Sequence, residues 1–218
     1  MTKYQDKLHA LLSPAERATF RRLNTPIKIQ NFLDTYPVKY FGKKGEPIIK
    51  SPRQALKARG MHCMEGALVA AAALAYHSHK PLLLDIQSES YDYDHVVALF
   101  KQDGLWGAIS KTGHPALRWR DPVYRTVREL AMSYFNEYYW PEKDRNHRRK
   151  TMRAYSAPFN LAKFKPEAWV TSDNDEWVAE VLDKSKHFPT YPAHARKNLR
   201  KADLIEIRSL KLSDEGND

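Results

Sequence analysis

The stretch Lys57–Ala75 reads KARGMHCMEGALVAAAALA, and its interpretation decides the fold. Gly60 breaks the chain, and from Cys63 to about His77 the pattern predicts a helix. Ala67, Ala70, Ala71, Ala72, Ala73 and Ala75 let neighbouring backbone approach closely. Leu68, Val69 and Leu74 supply bulk, so the helix is expected to be buried nearly all round and central to the fold. At its start stands Cys63, the single cysteine of 218 residues. A thiol in that place has two readings, a small core filler or a nucleophile.

Upstream, Ser13-Pro14 with Glu16, and then Thr25-Pro26, read as helix N-caps followed by proline at the first helical position. Ile27, Phe32 and Leu33 suit one buried face. Ser51-Pro52 is a third such start. Downstream, LLLDIQSES, HVVALF and LWGAIS read as three short strands, the last two joined by the hairpin signal KQDG. Asp121-Pro122 then predicts a helix carrying Val123, Val127, Leu130, Ala131 and Tyr134. NDEWVAEVLDK from Asn174 predicts another helix, and LIEIRSL a last strand.

Length predicts one domain over residues 1–218, with a core at about 25–139 and an extended C-terminal part at about 140–218. An apolar share of 42% argues against disorder. One cysteine excludes an internal disulfide framework, the first residues show no leader pattern, and a cytoplasmic setting is the expectation. The longest apolar run, Ala67 to Tyr76, is about half of what a membrane helix needs. A net charge of +10 permits weak, non-specific binding to polyanions. Its densest basic stretch, KDRNHRRK at Lys143–Lys150, lacks interleaved aromatics and reads as a solvated loop.

The chemistry resides in a cysteine at a helix start followed by a histidine opening an aliphatic strand. A helix N-terminus stabilises a thiolate through its partial positive charge and unpaired N–H groups. An imidazole can take the thiol proton and return it to a leaving amine. Cys63 and His95 are separated by enough chain for a helix and a strand to bring them together. The Cys63 N–H is a candidate oxyanion donor. Gln54 and Tyr40 are candidate second donors. Glu65 reads either as a site residue or as an exposed first-turn glutamate complementing the helix dipole. His62, His77, His79, His95 and His114 have no zinc-like spacing, so neither metal nor cofactor is expected.

GMHCMEGALVAAAAL, followed by DYDHVVALFKQDGLWGAIS, resembles the transglutaminase-like superfamily of the papain-like fold, over about Thr25 to Tyr139. The resemblance implies an α+β architecture: N-terminal helices and a central Cys-bearing helix packed on an antiparallel sheet. It implies a cysteine peptidase-like hydrolase or acyl transferase acting on protein or peptide amides through a thioester, with Cys63 as nucleophile and His95 as base. Members of this family usually carry an aspartate on the next strand, and here the chain departs from the pattern. With paired numbers summing to 205, Ser110 lies opposite His95; an Asp103-Gly104 turn gives 207 and Thr112. Neither is a carboxylate. Ser110 is the expected third residue and Asp121 the alternative, although Asp121 also reads as a helix N-cap. A catalytically silent binding domain of the same fold and a basic nucleic-acid-binding module are the rival functions.

Overall fold

In the computed structural model of the chain, residues 3–39, 49–139 and 150–209 are described. Helices α1 (Lys3–Leu11), α2 (Pro14–Arg22), α3 (Pro26–Asp34) and α4 (Pro52–Ala55) precede the long helix α5 (Cys63–Tyr76). The local chemistry accounts for the starts. Ser13 Oγ accepts from the Glu16 N–H while Glu16 accepts from the Ser13 N–H, a reciprocal box, and Pro14 occupies the first turn. Thr25 caps α3 without a reciprocal partner, its Oγ1 accepting from the Lys28 N–H at 3.2 Å, and Pro26 occupies the first turn. Behind Ser51 the helix lasts a single turn.

Every residue of α5 from Met64 to Tyr76 is buried, as its alanine-rich composition predicts. The four preceding helices pack on it, and the sheet covers another side.

The strands are β1 (Leu82–Gln87), β2 (His95–Gln102), β3 (Leu105–Ile109), β4 (Arg120–Tyr124), β5 (Ala154–Ser156), β6 (Phe159–Asn160) and β7 (His187–Pro189). They form one antiparallel sheet in the order β4-β3-β2-β1-β5-β7, with β6 also paired to β1. Alternation gives the sheet two buried faces. Leu83, Val96, Ala98, Phe100 and Ile109 join the core around α5. Leu84, Ile86, Val97, Leu99 and Ala108 pack with Leu130, Ala131 and Tyr134 of α6 (Val127–Phe135). The architecture is therefore α+β, with helices on both faces of an antiparallel sheet. Helix α7 (Glu167–Val170) and helix α8 (Glu176–Asp183) follow β6, and α9 (Leu204–Ser209) ends the described chain. The C-terminal part is built into the sheet and the core: Trp169 Nε1 donates to Tyr4 Oη across 3.1 Å, and Trp169 is fully buried.

Two expected elements of secondary structure are corrected. Asp121-Pro122 starts no helix; it lies in β4, at the edge of the sheet, where a proline can be accommodated without forfeiting a ladder bond. The helix begins later because Thr126 and Glu129 form a complete capping box, with Thr126 Oγ1 accepting from the Glu129 N–H at 3.1 Å. Within LIEIRSL, Leu204–Ser209 form a helix, α9, in place of a strand. Glu206 accepts from the Asp203 N–H and the first turn closes from Ile207 N–H to Asp203 O at 3.1 Å, so local capping overrides the alternating pattern.

The β2–β3 hairpin turns at Asp103-Gly104, with φ of 50° and 82°. That left-handed pair matches the twist of the flanking strands, and glycine takes the second position at no steric cost. Pairing follows Ala98↔Ile109 and Gln102↔Leu105, so partner numbers sum to 207 and the 205 register does not occur.

Among the described residues no helix is long and apolar enough to cross a membrane.

Candidate active site

His62 is the N-cap of α5, and Cys63 is its first helical residue. Lacking an upstream turn, the N–H groups of this first turn have no carbonyl partner within the helix. Glu65, in the same turn, is 1% exposed. Its Oε2 accepts from the His62 N–H at 3.2 Å and its Oε1 from the Lys50 N–H at 3.1 Å. Lys50 Nζ lies 3.5 Å from Oε1, and His62 Nε2 lies 3.6 Å from it. The expectation of an exposed glutamate is thus corrected. The segment preceding α4 packs over the first turn and buries the carboxylate, which is stabilised by two backbone N–H groups and the neighbouring Lys50 ammonium.

His95, 4% exposed, opens β2 on the same face as Val97 and Leu99. Its ring meets Tyr134 edge-on at 6.3 Å. Ser110 follows the last residue of β3 on that same face, displaced diagonally along the strand from His95 by the 207 register. The diagonal is short enough to bridge: Ser110 Oγ is 2.8 Å from His95 Nε2. Ser110 Oγ also donates to the Leu117 carbonyl at 2.7 Å. A hydroxyl has one proton, so Ser110 accepts from His95, and Nε2 carries the imidazole hydrogen. Nδ1 is then the basic nitrogen.

Ser110 is itself held by a residue far away in sequence. Gln30, 5% exposed, donates from Nε2 to Ser110 O and accepts at Oε1 from the Ser110 N–H, both at 2.9 Å. The side-chain amide substitutes for a neighbouring strand where the β2–β3 ladder has ended. Next to Ser110, the Cβ of Lys111 rests against Gly66, where any side chain would overlap it. Glycine at 66 therefore allows the end of β3 to lie across the first turn of α5.

Cys63 is partly exposed and its thiol hydrogen-bonds both His62 and His95. Burial pushes the thiol up, but hydrogen bonds from His62 and His95, together with the charges of both rings, outweigh it and hold the thiol well below its usual range. The arrangement can present a thiolate to an incoming electrophile beside an imidazole of fixed tautomer.

The structure therefore brings Cys63, His95 and Ser110 together. Asp121 stands apart from them: it is exposed, and its Oδ1 accepts from Trp119 Nε1 at 2.8 Å. Gln54 lies in α4, and its Oε1 is buried without a hydrogen-bond partner. Tyr40 lies outside the described residues, as does the basic stretch apart from Lys150, which pairs with Glu206 at 3.0 Å. Sequence reasoning passed over His62 and Gln30 as site residues. The first had a signal, since a polar residue before a helix with glutamate three positions on is a capping pattern. The second had none.

A separate group of ionisable residues lies on β1 and its surroundings. Carboxylate oxygens of Asp85, Asp94 and Asp183 lie within 4.8 Å of one another. His187 bridges Ser185 O from Nδ1 at 2.8 Å and Asp85 Oδ2 from Nε2 at 3.0 Å. A carbonyl only accepts, so Nδ1 carries a hydrogen; the bond to Asp85 then requires a proton on Nε2 or on the carboxyl. The hydrogen bond to Asp85 accordingly raises His187 above the usual imidazole range. This contact fastens β7 to β1.

No known family model matches the chain, and no curated protein is significantly similar to it.

Proposed function

We propose that the protein is a thiol-dependent amide hydrolase or acyl transferase of transglutaminase-like, papain-like architecture, acting on protein or peptide amides through a thioester. The single observation that carries this reading is the Cys63 thiol at the N-terminus of α5, hydrogen-bonded to an imidazole whose far nitrogen is occupied by Ser110.

The chemistry balances on these groups. The thiol proton passes to His95 Nδ1 and the sulfur adds to the amide carbonyl, whose developing oxyanion faces the Cys63 N–H. As the C–N bond breaks, the Nδ1 proton goes to the leaving amine and a thioester remains on Cys63. His95 next takes a proton from water or from a second amine, which attacks the carbonyl. The C–S bond breaks, and the proton returns to sulfur. Ser110 fixes the tautomer throughout, although without the negative charge that an aspartate would place behind the ring.

The test uses cleavage of peptidyl coumarin amides and incorporation of a fluorescent primary amine into casein. Wild-type protein is expected to turn over at least one of them, Cys63→Ser neither, and His95→Ala slower by about 10²–10⁴-fold. A folded wild-type protein inert in both assays, with Cys63 unreactive toward iodoacetamide until denatured, would favour the silent binding domain. Sub-micromolar, sequence-selective nucleic-acid binding unaffected by Cys63→Ala would favour the basic module.

A further inference from the structure

The Cys63 thiol has two imidazole partners, and the chemistry above uses only one. The two are not equivalent. Behind His95 stands a neutral hydroxyl, Ser110. Behind His62 stands a carboxylate: Glu65 Oε1 is 3.6 Å from His62 Nε2, with side-chain exposures of 2% and 15% respectively. Among the described residues, His62 is the one of the two rings with an acidic partner.

Physical chemistry assigns that difference a role. A cation at a helix N-terminus opposes the helix dipole, so a charged ring at the N-cap needs anions beside it. His62 has two candidates, the Glu65 carboxylate and the Cys63 sulfur. Glu65 cannot relax toward water because it is buried and tied to two backbone N–H groups. Among the described residues, other charged or titratable groups facing this corner are Lys50, whose Nζ is 3.5 Å from Glu65, Lys111, whose stem rests on Gly66 and whose ammonium donates to Tyr36 O, and Tyr138, a buried phenol kept un-ionised chiefly by burial.

We propose that His62 is a positioning residue for the thiolate: an imidazolium anchored by Glu65 that donates an N–H to the Cys63 sulfur. His95 takes the thiol proton and delivers it to the leaving group. The negative charge absent behind His95 is thus supplied behind the second ring, within a single helical turn. His62 exchanges no proton during the cycle; it stabilises the sulfur anion once the thiol proton has passed to His95. The inference rests on the reading of Cys63 as a nucleophile, yet its primary readout requires no substrate.

The experiment follows the rate of Cys63 alkylation by iodoacetamide against pH in wild type, His62→Gln, Glu65→Gln and His95→Ala, with melting temperatures as a check on folding. In His62→Gln the rate near pH 6 is expected to fall at least about tenfold, an upward move of about one unit in thiol ionisation. Glu65→Gln retains one oxygen for one of the two N–H groups and turns an amide N–H2 toward the other, so its melting temperature falls somewhat while its alkylation profile moves the same way by less. His95→Ala retains a low-pH limb of alkylation even as amide turnover is lost. A His62→Gln profile coincident with wild type overturns the proposal, as does loss of the low-pH limb in His95→Ala alone. Low-pH alkylation that depends on His62 without amide turnover would support this inference and reject the proposed reaction. Turnover with an unchanged His62→Gln profile would do the reverse.

Discussion

Ser110 Oγ lies 2.8 Å from His95 Nε2 and gives its own proton to the Leu117 carbonyl, 2.7 Å away. The serine therefore acts on the imidazole purely as an acceptor. It holds the ring in one orientation and one tautomer, and leaves Nδ1 as the base.

Ser110→Ala removes that acceptor and frees the ring to change tautomer. Amide turnover is expected to fall about tenfold, equivalent to about 1.4 kcal/mol in the barrier, with little loss of thermal stability. Ser110→Asp is expected to exceed Ser110→Ala in turnover because it puts a charge behind the ring. Asp121→Asn serves as the control and should match wild type, since Asp121 is exposed and contacts Trp119. Turnover lost in Asp121→Asn and retained in Ser110→Ala would reverse the assignment of the third residue.

Gln30→Leu deletes both hydrogen bonds to the Ser110 backbone and leaves a buried N–H and C=O without partners. The expected cost is about 2–4 kcal/mol of stability. Denaturant titration measures it, and a change under about 0.5 kcal/mol, the size of an ordinary surface substitution, would show that the amide bridge is dispensable.

Gly66→Ala places a methyl group where the Lys111 Cβ now rests. Either α5 or the end of β3 must move, at an expected cost of about 1–3 kcal/mol. Because Ser110 adjoins Lys111, turnover should fall together with the melting temperature. Wild-type kinetics in this variant would uncouple the close approach from the site.

Asp175 is fully buried, its Oδ1 accepts from Ser172 and its Oδ2 has no partner. Burial pushes the carboxyl up from 3.8 to about 7, with the Ser172 bond opposing. The folded chain therefore holds this proton more tightly than the unfolded chain. The contribution to stability is complete below about pH 4 and is lost as pH rises through 7, by up to about 4 kcal/mol. Asp175→Asn is expected to flatten the melting temperature between pH 5 and 8 and to exceed wild type at pH 8. A wild-type melting temperature that rises over this interval would contradict the account of Asp175.

Local chemistry was legible wherever it was strong. Ser13-Pro14-x-Glu16 and Thr25-Pro26 predicted α2 and α3 because a cap, a proline and the first turn are all set within a few residues. The alanine-rich run predicted α5 and its burial. Asp121-Pro122 misled because proline fits an edge strand as well as a first helical turn, and only the pairing with β3 separates the two. The alternation of LIEIRSL misled because capping by Glu206 outweighed a short period-two pattern.

The candidate site divides along the same line. The sequence by itself determined that one cysteine opens a buried helix and that a histidine opens an aliphatic strand, since both follow from residue order and periodicity. It also contained the His62-x-x-Glu65 spacing that ties a carboxylate to the helix cap. Only the tertiary structure decided that Ser110 reaches His95 diagonally in the 207 register, that Gln30 secures Ser110 from 80 residues away, and that the thiol touches both imidazoles. Each of these depends on how separate elements pack, where a one-residue change of register or a single glycine such as Gly66 redirects a side chain by several ångströms, and nothing in local sequence encodes that displacement.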